Sequence, residues 1–378
     1  MSKTRGVCSP RFGEIRELLE KFIATGEELG ASIVVNIDGK DEVDLWGGYV
    51  DTERQREWQQ DTITNVMSSS KTVVGLVGVI LAERGLIDFD APVARYWPEF
   101  GANGKENILI RHILSHTSGV PGWDEPMTLE DICNWEKATE ALARQPPWWE
   151  PGTASGYHAF TFGFLLGEVV RRVTGKSYRD FVRDELSRPL NADFQLGVQQ
   201  QDIGRVSDMV PPPATGPASP PPGSMLEKVF TSPPFTPTWA NTPEWRAADL
   251  GGANGHTNAK GIAKLLSVIS LGGEVEGRRY VSQPILDRIF EEQSFGTDLV
   301  TQDSFRFGIG FHIRGDGARL DWLPAGKICY WGGMGGSMAV MDVDRRMTIT
   351  YMMNKMDNVG LCSERAKAYI QAVYKVCT

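Results

Sequence analysis

Apolar positions along the chain change period several times, and each change marks an element. Residues 12–28 carry Ile15, Leu18, Leu19, Phe22 and Ile23 at helical spacing, which predicts an amphipathic helix. Residues 31–38 are almost continuously apolar and read as a buried strand. Gly39, Lys40 and Asp41 can turn it into a return strand over 42–50. Residues 71–84 are apolar nearly all round, as in a helix buried between layers, with Gly85 placed to end it. Helical patterns recur at 107–115, 160–174, 179–186, 259–271 and 364–376. Strand patterns recur at 307–313, 336–342 and 347–353, with Asp344, Arg345 and Arg346 turning between the last two. Strands near both ends with mostly helix between them predict one α/β layer built from both ends of the sequence, with a helical lobe inserted.

One stretch breaks the pattern. Residues 210–223 hold seven prolines, and more follow at 233, 234 and 237. Neither a helix nor a central strand tolerates that. Two readings stand: a solvated linker, or an extended flap framing a site. In the second, Phe230, Phe235, Trp239 and Trp245 supply apolar surface, and Trp239 is a candidate substrate contact.

Length and composition narrow the classes. The 378 residues exceed a usual single domain, and 41% hydrophobic content can bury a substantial core. A formal charge of −9, without a Lys/Arg cluster, argues against a nucleic-acid partner. No apolar run reaches membrane-spanning length; 73–81 is short and interrupted by Gly75 and Gly78. The first eight residues lack the apolar core of a signal peptide, and Cys8, Cys133, Cys329, Cys362 and Cys377 are scattered without metal spacing. A cytoplasmic protein with reduced thiols is the expectation. His112, His116, His158, His256 and His312 form no metal-binding motif, so neither metal nor cofactor is expected.

Chemistry enters at Ser68 and Lys71. Ser-x-x-Lys sets a hydroxyl and an amine one helical turn apart, at the head of the apolar helix. If the serine opens that helix, its N–H is an unpaired donor at the positive end of the dipole. Nucleophile, proton acceptor and half an oxyanion hole would then share one segment. Such a pair arises by chance about once in a chain of this length, so the surrounding segments must decide. No G-x-S-x-G elbow is present, which argues against an α/β-hydrolase.

Several segments taken in series resemble the serine β-lactamase and penicillin-binding protein superfamily. They are most similar to class C β-lactamases and the β-lactamase-like carboxylesterases called family VIII. The likeness is carried by Asn65 to Lys71, Gly85 to Val93, Ile110 to Pro121 with its His-Thr-Ser-Gly, Pro151 to Tyr157, and Trp331 to Gly336. It implies an α+β fold of the β-lactamase/DD-peptidase type: an antiparallel sheet from both termini flanked by helices, with an inserted mainly helical domain. The expected division is 9–66 with 250–378 for the α/β domain, and 67–249, including 210–237, for the helical one.

The resemblance also implies roles. Ser68 would attack an acyl carbonyl while Lys71 and Tyr157 move its proton, with either able to be the base. Backbone N–H groups of Ser68 and Met334 would form the oxyanion hole. Trp331, Gly332 and Gly333 would border the substrate. His116, Ser118 and Ser337 read as structural. Two departures bear on substrate: Trp331-Gly-Gly stands where the family's Lys-Thr-Gly belongs, and Tyr157-His-Ala replaces Tyr-x-Asn. Fewer polar donors suit a small neutral ester better than a β-lactam carboxylate. The expectation is a carboxylic ester hydrolase working through an acyl-serine. Its alternatives are an acyltransferase to alcohols, a β-lactamase or D,D-peptidase, and a non-catalytic binding protein. Oligomeric state is left open.

Overall fold

A computed structural model describes residues 4–212 and 220–377. Numbered along the chain, its strands are β1 (Arg5–Cys8), β2 (Gly30–Ile37), β3 (Lys40–Gly48), β4 (Ile63–Asn65), β5 (Phe194–Leu196), β6 (Val206–Ser207), β7 (Gly255–Thr257), β8 (Glu274–Val275), β9 (Arg278–Arg279), β10 (Ser294–Thr297), β11 (Ser304–Phe307), β12 (His312–Ile313), β13 (Ile328–Gly332), β14 (Met338–Asp342) and β15 (Met347–Met353). The α-helices are α1 (Gly13–Thr25), α2 (Lys71–Glu83), α3 (Ile110–Leu114), α4 (Leu129–Cys133), α5 (Trp135–Arg144), α6 (Thr161–Thr174), α7 (Tyr178–Val182), α8 (Met225–Thr231), α9 (Pro243–Ala247), α10 (Ala259–Ser270), α11 (Gln283–Arg288) and α12 (Glu364–Cys377).

Nine strands form one antiparallel sheet in the order β1-β3-β2-β15-β14-β13-β12-β11-β10. β2, from the first fifty residues, therefore lies between β3 and β15, from the last forty. The alternation of β15 shows how the sheet is covered. Thr348 and Thr350 bond to Ser270 and Ala259 of α10, while Tyr351, on the opposite face, packs against Tyr369 of α12. Burial on both faces explains why β2 reads as a nearly continuous apolar run, interrupted at Ser32 and Asn36. A second, four-stranded sheet, β5-β7-β4-β6, joins strands from either side of the expected domain division. It ends against the segment that carries Ser68, where the Val66 N–H donates to the Gly255 carbonyl at 2.9 Å.

Where pattern and structure differ, local packing explains it. The helix read at 107–115 shortens to α3, and 179–186 becomes α7 followed by a π-helical turn at Arg183–Ser187. The strand read at 307–313 breaks into β11 and β12 because Gly310, at φ +84°, presses against α2. A Cβ on Gly75 would lie 2.5 Å from the Gly310 carbonyl oxygen. The proline-rich stretch lies partly outside the described residues. Its start lies beside the chain just past β15, with Val210 bridging Lys355. Beyond it comes α8, capped by Ser224, which the prolines around it had masked. Among the described residues, no helix is long and apolar enough to cross a membrane.

Candidate active site

Ser68 sits in a single 3-10 turn, Met67–Ser70, directly ahead of α2. Met67 enters the turn at φ +47°, a costly conformation for a side-chain-bearing residue. Its N–H is held by Asn65 Oδ1 at 3.1 Å and its carbonyl by the Ser70 hydroxyl at 2.6 Å. Ser68 alone of the four turn residues keeps partial exposure.

Lys71, three residues on, is completely buried. Its Nζ lies 3.1 Å from Ser68 Oγ, 2.7 Å from the Ala159 carbonyl oxygen and 2.9 Å from that of Gly252. No ion pair to Lys71 is formed among the described residues, and burial lowers its pKa well below the ordinary lysine value. The Gly252 carbonyl reaches Lys71 because α6 and the 250–252 segment touch backbone to backbone. A Cβ on Gly163 would fall 2.2 Å from the Gly252 nitrogen, and Gly251 adopts φ +57°.

Tyr157 closes the triangle. Its hydroxyl donates to Ser68 Oγ at 2.6 Å, and its ring centre is 5.0 Å from Lys71 Nζ. Burial raises the phenol's pKa strongly, opposed by hydrogen bonds to Ser68 and to the Trp331 indole, so Tyr157 rests protonated. Its backbone is clamped on two sides. The Gly156 N–H donates to the His116 carbonyl and the His158 N–H to His116 Nδ1, both at 2.9 Å. The Tyr157 N–H donates to Asp298 Oδ1 at 3.1 Å. His116 is thus occupied with backbone, stacked on Phe162 at 4.5 Å, and its pKa is lowered well below the usual value by burial. Ser118 shares a hydrogen bond of 2.6 Å with His158 Nε2, on the same seam.

The third segment approaches from the sheet. β12 pairs with Tyr330 and Cys329 of β13, so Trp331 and Gly332 extend past it, with no strand paired on that side among the described residues. A tight turn follows, in which Gly333, Gly335 and Gly336 donate to Ser337, Val359 and Gly333 carbonyls. Met334, at its tip, makes no such bond among the described residues. The turn is sewn to the serine segment: Ser69 and Ser337 hydroxyls meet at 2.9 Å, and a Cβ on Gly333 would fall 2.4 Å from the Val66 carbonyl oxygen. The expectation that the Trp331 side chain borders substrate needs correcting. Its indole is only 1% exposed and packs behind Tyr157, stacked on His312 at 4.1 Å.

Trp239 is half-buried in an aromatic cluster with Phe235 and Trp245, and Phe235 packs on Phe160 at 5.3 Å. Phe160 follows Ala159, whose carbonyl holds Lys71, so the cluster adjoins the site. Sequence reasoning missed the Ala159 and Gly252 carbonyls and Asp298. The Gly251-Gly252 pair was a visible signal of close backbone approach; Asp298 carried none. Among the described residues, no group of His, Cys, Asp and Glu could hold a metal ion.

A nine-stranded antiparallel sheet packed with helices, together with a serine, an amine and a phenol within hydrogen-bond reach of one another, defines the β-lactamase-like class of folds. The chain belongs to the Beta-lactamase family, whose model matches residues 15–373. Similar proteins include the Esterase/beta-lactamase LipL of Mycobacterium tuberculosis, 29% identical across 93% of this chain and 83% of that one. Among solved structures, a family VIII carboxylesterase superposes with a TM-score of 0.92 at 36% identity, covering 99% of each chain. A penicillin-binding protein homologue from Caulobacter crescentus gives 0.91 at 31%, again over 99% of each.

Proposed function

We propose that this protein is a serine carboxylesterase acting through an acyl-Ser68 intermediate. The observation that carries the reading is the arrangement around Lys71 Nζ. A neutral amine has two N–H donors and one lone pair. Two carbonyls accept the donors, which leaves the lone pair for the Ser68 hydroxyl. Burial without an anionic partner favours that neutral state.

In this reading Ser68 Oγ bonds to the ester carbonyl carbon as its proton passes to Lys71. The carbonyl oxygen, now negative, sits between the N–H groups of Ser68 and Met334. As the tetrahedral centre collapses, the C–O bond to the alcohol breaks and the alkoxide takes a proton from Tyr157, which is replenished from Lys71. Water then attacks the acyl-serine by the reverse proton path, releasing acid and restoring Ser68. The family VIII carboxylesterase at 36% identity and the relative named esterase/beta-lactamase support ester chemistry. So does the buried indole of Trp331, which offers no cation to a substrate carboxylate.

A fluorophosphonate probe followed by intact mass and peptide mapping tests the assignment. One adduct on Ser68 is expected, together with turnover of short p-nitrophenyl esters. Lack of labelling in folded protein would sink the reading. Cephalosporin hydrolysis at rates matching simple esters would overturn the preference for esters, and an excess of ester product in the presence of alcohols would make the protein an acyltransferase.

A further inference from the structure

Asp298 opens the loop between β10 and β11, at the far end of the main sheet, and is fully buried. Its Oδ1 collects N–H groups from Val300 at 3.0 Å and Thr301 at 2.9 Å, which fix the loop upon itself. The same oxygen accepts from the Tyr157 N–H at 3.1 Å, across 141 residues of sequence. Beside it, the Leu299 N–H donates to the Ser155 carbonyl at 2.8 Å. The 298–299 loop therefore adds one rung of β-like pairing to the segment that presents Tyr157. Burial raises the Asp298 pKa from the ordinary carboxyl value, against the pull of the N–H groups of Thr301, Tyr157 and Val300.

We infer that Asp298 is a positioning residue, acting through the backbone of Tyr157 to hold its hydroxyl at hydrogen-bonding distance from Ser68. The Asp298 bond links the sheet's outer hairpin, β10 and β11, to the backbone of the residue whose phenol meets Ser68. The inference rests on the acyl-Ser68 reading above. Displacement of a reacting group by about 1 Å is enough to cost up to roughly a hundredfold in rate, so a backbone anchor of this kind has kinetic weight.

The test is a double-mutant cycle on the full chain with a p-nitrophenyl ester. Asp298→Ala is expected to lower kcat about tenfold or more with KM within about threefold of wild type. Asp298→Asn, whose amide oxygen can accept the same N–H bonds, should recover most of that loss. In a Tyr157→Phe background, where no phenol hydroxyl remains to be placed, Asp298→Ala should change kcat less than about twofold. An equal loss in both backgrounds, or no loss in the first, overturns the inference. Should Asp298→Ala fail to fold by circular dichroism, Asp298→Ser replaces it under the same criteria. Fluorophosphonate labelling of wild-type Ser68 separates the two readings. Labelling with additive Asp298 effects removes this inference alone, and no labelling removes both.

Discussion

Two buried lysines show how neighbours set a proton. Lys105 Nζ donates to the carbonyls of Ala102, Ala143 and Gln145, three acceptors for the three donors of an ammonium. Lys71 has two carbonyls and a hydroxyl that can itself donate. Burial pushes Lys105 to about 8 and takes Lys71 well below the lysine range. The unfolded chain keeps lysine's ordinary pKa of about 10.4. Between the depressed folded value and that one, the unfolded chain binds the proton that the folded one refuses, so stability rises with pH. Urea midpoints measured from pH 7 to 10 should show this slope in wild type and a shallower one in Lys71→Met, which should also be inactive. Tyr157→Phe keeps the ring and loses the proton donor; kcat should fall by roughly a hundredfold or more. Near-wild-type turnover in that variant would contradict the role given to Tyr157. At this scale the sequence held the side chains Ser68, Lys71 and Tyr157 in recognisable order. The carbonyls of Ala159 and Gly252 were invisible because any residue type supplies one.

Elements place these groups through close backbone contact. Gly163 on α6 and Gly252 touch, and the Gly252 carbonyl meets Lys71 as a result. Gly163→Ala should force them apart, costing about 1–3 kcal/mol and lowering kcat at unchanged expression; chemical denaturation and ester kinetics on one preparation check both. Hydrophobic period identified α1, α2, α6, α10, α12 and the β2, β14 and β15 strands, because each is long or uniformly buried. It failed where proline content masked α8. It failed again at β11 and β12, whose break is imposed by Gly75 of α2, over two hundred residues away in sequence. Tertiary contact, not local preference, sets such boundaries.

At the scale of the molecule, a buried ion pair joins both ends of the fold. Arg365 Nη1 meets Glu28 Oε1 at 2.6 Å, and the Tyr351 hydroxyl donates to Glu28 Oε2 at 2.6 Å. Burial raises Glu28 to about 7 even against the pull of Arg365. Removing the arginine strands a carboxylate, so Arg365→Met should destabilise by about 3–5 kcal/mol at pH 8. Glu28 can escape by taking a proton. Its folded pKa lies above the unfolded one, so the variant's stability is greatest below about 4.5 and is lost as pH rises through the folded value. Melting temperatures at pH 5 and pH 8 should therefore differ more in the variant than in wild type.

The seat of β2 between β3 and β15 also has a consequence in time. A ribosome completes β2 some three hundred residues before its second neighbour, β15, begins at Met347. Throughout that interval an apolar strand has one ladder unpaired, a template for other chains. Contacts of such span close slowly, so recovery of ester turnover on dilution from denaturant should lag helix formation and fall as protein concentration rises. Co-expressed chaperone that shields exposed strands should raise the soluble yield, and chains ending before Met347 should remain aggregated with or without it.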